Sequence, residues 1–242
     1  MNSKTLSRTI AFILILEGLL MFAPTIILGM AIGWPGSLGD SADVMLHAIF
    51  AEADATRVGY LFYLLYSILF LPTIVLIVRM AGDKQTNTIF VQMAISFASL
   101  STLARVIGII RWLVAMPELA VTYNDATVST MTKESIIVTY NMLNNFGGSI
   151  GEILGVSIFA SLAIVMVAVI IFQNKGLPRW TGYFAISAAI ALCLPILEIM
   201  GVNPAILPDF ILIISVAVVQ FWFLFLGAYL FFRRTPSTAL SA

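Results

Sequence analysis

The sequence predicts an all-α membrane protein: a six-helix transmembrane bundle with amphipathic helices on its outer face and both termini cytoplasmic. Three observations predict it. Hydrophobic residues make up 61% of the chain and charged residues only 10%, too few to cover a soluble domain with polar surface. Six predominantly apolar runs are long enough to cross a hydrocarbon core of roughly 30 Å, which takes about 20 helical residues. Lysine and arginine collect at alternate ends of those runs.

The runs span residues 9–33, 58–78, 88–116, 148–172, 181–201 and 210–232. Their hydrophobicity is continuous and does not alternate, which reads as helix and not as barrel strand. Lys4 and Arg8 before the first run resemble the start of a signal peptide. However, the apolar stretch far exceeds the roughly 7 to 15 residues of such a segment and no small-x-small site closes it, so a retained helix is expected. Lys4 and Arg8, Arg79 and Lys84, Lys175 and Arg179, and Arg233 and Arg234 mark the cytoplasmic ends. The opposite loops hold only Arg57 and Lys133 among many carboxylates, including Asp40, Asp43, Glu118 and Asp125.

Two outer segments are more than turns. Residues 41–55 begin at Ser41, a good helix cap, and helical spacing separates Asp43, His47 and Asp54 from Val44, Met45, Ala48 and Ile49, as in a helix lying along the interface. Residues 136–172 as one helix would be about 55 Å long. A lead-in helix over 130–145 is therefore expected, bent or broken near Gly147 and Gly148. Pro72 and Pro195 are expected to kink their helices. Short connections such as "GDKQTN" and "QNKGLP" leave no room for a linker, so residues 1–242 form a single integral membrane domain, located in a cell membrane and in the cytoplasmic membrane if the source is bacterial.

Net charge is zero and the one basic pair is Arg233 with Arg234, so no nucleic-acid partner is expected. Membrane lipids are; a second copy or another membrane protein is a compatible neighbour. Cys193 is alone and cannot form an intrachain disulfide. The single histidine, His47, rules out a bis-histidine haem, a multi-histidine zinc centre and a histidine-box di-iron site, so no metal or cofactor is expected. Within the runs no histidine or lysine could activate a serine; no catalytic residue is assigned, and an enzyme is the least supported reading.

Five charges remain inside or at the edges of the runs: Glu17, Arg105, Arg111, Glu152 and Glu198. Each costs roughly 2.5–3.5 kcal/mol near a helix centre on insertion scales, so they must face protein, water or one another. Counting along the runs puts all but Glu17 in the outer half. At about 100° per residue, Ala94, Ala98, Ser101, Thr102, Arg105, Gly108 and Trp112 share one strip, with Arg111 roughly 120° away from Arg105. Gly147, Gly151 and Gly155 form a doubled GxxxG, and Asn141, Asn145, Gly148 and Glu152 an adjoining strip if the helix is continuous. These strips are expected to meet, with Glu152 opposite Arg105 or Arg111 in a cavity open to the outer side. The bland alternative is a compensated pair that only sets helix register, and a GxxxG run is most often plain packing. Glu17 is a candidate proton site, or else a residue bonded to the polar face of the second run, where Tyr63, Tyr66, Ser67 and Thr73 lie together.

The segments "RWLVAMPELAVTY" (residues 111–123), "GEILG" (151–155) and "GLPRWTGY" (176–183), taken in order, resemble a bacterial membrane family known as domain of unknown function 4386. The resemblance covers about residues 7–234. It implies the six-helix architecture and offers no reaction. Many members of that family carry a histidine after the glutamate where this chain has Ile153, a departure that weakens a metal or proton role for the position.

Three functions are compatible with these residues. The first is binding or sensing of a small amphipathic or anionic ligand from the outer leaflet, in a cavity lined by Arg105, Arg111, Glu152 and Glu198 with Trp112, Asn141 and Asn145 nearby. The second is a structural or accessory subunit whose buried charges only fix packing. The third is a proton-coupled transporter using Glu17 and Glu152, against which stand the few spans and the missing internal repeat.

Overall fold

A computed structural model describes residues 3–83, 86–200 and 209–233, and all regular structure among them is helical. The first run holds two helices, α1 (Ser3–Leu20) and α2 (Phe22–Ile32). Pro24 has no N–H to offer the Leu20 carbonyl, and the helix is interrupted one turn before it. Gly33 ends α2 with φ 71°, in the left-handed region, where its N–H bonds back to the Leu28 carbonyl.

Next come α3 (Ala42–Ala51), on the segment expected to lie at the interface, and α4 (Ala53–Ala81), which carries Pro72 without breaking. An Asn87 side chain accepts the Ile89 N–H and starts α5 (Thr88–Leu113). A short α6 (Ala115–Asn124) comes next, and then a turn in which the Asp125 carboxylate accepts the backbone N–H and hydroxyl of Thr127. Those bonds hold its carboxyl below the usual carboxylate range.

Ser129 caps α7 (Thr130–Gly148) by accepting the Thr132 N–H. No break occurs at Gly147 and Gly148. Instead the helix runs on through Ser149–Ala160 in π-helical form, 12 residues long, into α8 (Ser161–Gln173). Such a run is long for a conformation usually seen as a single-turn bulge. The chain closes with α9 (Arg179–Cys193), the short α10 (Ile196–Ile199) and α11 (Asp209–Phe232). Pro195 does more than kink its helix: it separates α9 from α10.

Among the described residues, five helical stretches are long and apolar enough to cross a membrane: Thr5–Ile32, Ala53–Ala81, Thr88–Asn124, Thr130–Gln173 and Ile214–Phe232. At 15 residues α9 is shorter, because Pro195 cuts the run expected at 181–201. The chain is an all-α membrane bundle. Phe12, Ile26, Met30, Leu61, Leu103 and Phe225 point outward, the surface that lipid would cover.

Besides a small cluster of Leu20, Met21 and Tyr66, the buried apolar residues gather in two large zones. In one, α1 lies along α11, and α8 packs on α9 and α5 around Leu14, Phe70, Ile77, Val167 and Trp222. The other, here the roofed end, brings α3, α6 and α7 over α2, α4 and α5 around Leu28, Met45, Tyr60, Trp112 and Tyr140. There His47 Nδ1 meets Asn124 Oδ1 and its ring lies edge-on to Tyr123, tying α3 to α6.

Candidate functional site

The site is built on a backbone contact between α5 and the π-helical stretch. A Cβ added to Gly108 would lie 2.7 Å from the Gly151 Cα and 3.0 Å from the Gly147 carbonyl oxygen, so only glycine lets the two chains approach this closely. One turn along, a Cβ on Gly155 would strike the Arg105 side chain at 2.8 Å. The Ser101 hydroxyl donates across the same seam to the Gly155 carbonyl at 2.7 Å. Ala94, Ala98, Ser101, Arg105 and Trp112 of the α5 strip are all buried.

Arginine side chains flank this seam and are held by protein groups. Arg105, 4% exposed, holds its guanidinium carbon 4.5 Å from the Tyr66 ring centroid and 5.1 Å from that of Phe70. Arg111 donates from Nη1 to the Gly108 carbonyl and from Nη2 to Asn144 Oδ1 at 3.4 Å, and sits 5.4 Å from the Trp112 ring. Trp112 in turn stacks on Tyr60, with centroids 4.8 Å apart and planes within 8°.

Glu152 is exposed and shares the wall of one small cavity with both Arg105 and Arg111. Among the groups acting on Arg111 by charge, Glu152 is the foremost. Glu17 is fully buried, and the cation that acts on it is Arg105. Counting along the run sets Glu17 apart in the inner half. In the structure α1 brings it toward the Tyr66 and Arg105 side chains instead. Neither Glu17 carboxylate oxygen has a hydrogen-bond partner among the described residues.

Asn141 and Asn145 are exposed, and the amide that reaches Arg111 is Asn144. The strip that aligns Asn145 with Glu152 assumes α-helical turns, whereas the wider turns of the π stretch begin at Ser149 and rotate the residues beyond it. The Glu198 side chain lies outside the described residues.

Three cavities meet here. A small one of about 20 Å³ is lined by Arg105, Arg111, Gly108, Tyr60, Trp112 and Glu152. The largest, about 160 Å³, is walled mainly by apolar groups such as Phe22, Leu38, Val156 and Val216, with Trp34, Gln220 and again Glu152. A third, about 10 Å³, lies beside Tyr66, Phe70 and Arg105. Glu152 borders the first two, and Tyr63 borders all three.

Sequence reasoning does not single out Trp34, Asn144 or Gln220, and names Tyr63 only on the polar face of the second run offered to Glu17. Gln220 carries a signal: it is the one amide in an otherwise apolar run, where a polar side chain needs a partner. That partner is Tyr66, whose hydroxyl receives Gln220 Nε2 at 2.8 Å. Trp34 carries no comparable mark, because nothing local shows that the loop after α2 folds back over Tyr63, with ring centroids 5.7 Å apart.

The family motifs fall at both ends of the bundle. Arg111, Trp112, Gly151 and Glu152 belong to the site, while Gly176 presses against the Met80 and Ala81 carbonyls and accepts Arg233 Nη1 at 3.0 Å on its own carbonyl. No curated protein and no solved structure matches the chain. The family model described as Domain of unknown function (DUF4386) matches residues 3–233, and the chain belongs to that family.

Proposed function

We propose that this multi-pass membrane protein binds or senses a small amphipathic molecule, taken from the outer leaflet of a cytoplasmic membrane into the cavity beside Glu152. The observation that carries the reading is the cavity of about 160 Å³, apolar on most of its wall and bordered by a carboxylate. Cavities of about 150 Å³ hold a benzene-sized molecule. Phe22, on the wall, is also 42% exposed on the bundle surface, which gives a lateral route from the acyl chains. An apolar chamber with a few polar groups at one end is the usual form of a small-molecule site.

The arginines support the amphipathic reading over the anionic one. Both are buried and already engaged by Tyr66, Phe70, the Gly108 carbonyl and Asn144. The same engagement favours a second reading, in which the charges serve helix packing alone.

A fluorinated probe separates these. In dodecylmaltoside micelles, 4-fluorobenzyl alcohol should show a saturable bound fluorine resonance absent from protein-free micelles. Val216→Trp, which fills the chamber, should remove that resonance and leave thermal stability unchanged or higher. If no bound signal appears with the unaltered protein, or the Val216→Trp protein gives the same one, the chamber is not a site and the packing reading stands.

A further inference from the structure

The chemistry of the chamber wall goes further and names the class of head group; this step rests on the binding reading above. Among the described residues the larger cavity has no arginine on its wall, since Arg105 and Arg111 border the smaller cavities. Its polar and aromatic groups are Glu152, the Trp34 and Tyr63 rings, Gln220 and the hydroxyls of Thr25, Ser157 and Ser215. The Gln220 amide donates through Nε2 to Tyr66, and its Oε1 is buried with no partner among the described residues. The one charged group among these described wall residues is a carboxylate.

A carboxylate and two aromatic rings around an apolar chamber are groups that recognise an organic cation: the carboxylate neutralises its charge and the rings attract it through their quadrupoles. An anionic head would lie against Glu152 on a wall whose described residues include no arginine or lysine. We infer that the chamber between α2, the π-helical stretch and α11 takes an amphiphile whose head is an alkylammonium group, with Glu152 as its counter-ion and Trp34 and Tyr63 as its ring contacts. Arg111 lines the smaller cavity that Glu152 also borders.

Three probes of nearly equal size test this in dodecylmaltoside, which carries no ammonium: 4-fluorobenzylammonium, 4-fluorobenzyl alcohol and 4-fluorobenzoate, each titrated by fluorine NMR against protein-free micelles. The ammonium probe should bind at least about tenfold more tightly than the alcohol, as expected for a desolvated cation beside a carboxylate and aromatic rings, and the benzoate more weakly than either. Glu152→Gln should bring the ammonium probe to the level of the alcohol, and Trp34→Leu should weaken it while sparing the alcohol. The ranking of probes on the unaltered protein decides the matter even if a variant fails to fold.

Equal binding of alcohol and ammonium, or preference for benzoate, overturns the ammonium assignment and leaves the chamber reading intact. Failure of all three probes overturns both. Phosphatidylethanolamine added as a competitor separates two sources of the same chemistry. Displacement of the ammonium probe identifies a lipid head group, and no displacement identifies a free amine.

Discussion

The pairing of α1 with α11 and the pairing of α5 with the π-helical stretch both depend on glycine, but they use it to different ends. Along α1 and α11, Gly18 makes room for the Leu224 side chain and Gly227 for Ile15, so glycine on one helix receives an aliphatic knob from the other. Between α5 and the π stretch, Gly108 faces Gly151 and Gly147, so backbone meets backbone, and the arginines one turn away lie alongside the contact. The first arrangement buries apolar surface and needs nothing else. The second brings charged groups close to one another and leaves space around Glu152. Glycine at a membrane contact is therefore ambiguous by itself; what it is paired with decides whether the seam is only packing or also frames a cavity.

The largest test of this contrast is at Gly108. A Gly108→Leu change puts a side chain against backbone that cannot move aside, and the purified protein should lose more than about 3 kcal/mol in denaturant unfolding, at or beyond the upper end of ordinary overpacking. Gly18→Ala meets the Leu224 side chain as its nearest neighbour and should cost about 1–2 kcal/mol as that side chain shifts. Equal losses at Gly18 and Gly108 would show that the two seams are of one kind.

Next in size is the charge at the seam. Arg111→Gln should destabilise by about 3 kcal/mol, because it strips a buried cation from the Gly108 carbonyl, Asn144 and the field of Glu152. In a double-mutant cycle, Arg111→Gln with Glu152→Gln should recover at least about 0.5 kcal/mol relative to the sum of the single changes, whereas Arg105→Gln with Glu152→Gln should couple less. A larger coupling through Arg105 would reverse the assignment of partners.

The smallest effect separates neighbouring amides. Asn144→Ala should cost about 0.5–1 kcal/mol through its bond to Arg111, and Asn145→Ala, which makes no contact with that arginine, less than about 0.5 kcal/mol. Thermal unfolding of the two variants side by side is enough. If Asn145 is the costlier loss, the rotation attributed to the π stretch is wrong.

Much of this molecule is legible along the chain. The apolar runs, the small-residue strip from Ala94 to Trp112 and the glycines at 147, 151 and 155 can be read by spacing, and the two strips do pack together. Asn145 cannot be placed by the same rule, because a count at 100° per residue fails once Ser149 begins wider turns. Glu17 lies 88 residues from Arg105, so no local periodicity could connect them.

What the sequence by itself determined is the solvent and the kind of element. A chain this apolar must satisfy its backbone within each segment, and only helices do so over runs of this length. It also determined that the charges within those runs need company, since each costs too much alone. The tertiary structure alone decided which charge accompanies which, and where a chamber is left. Those depend on how far each helix is rotated about its axis and how closely two backbones approach. Both are set by the sum of contacts from distant segments, as where Gly108 touches Gly151 and Trp34 closes over Tyr63.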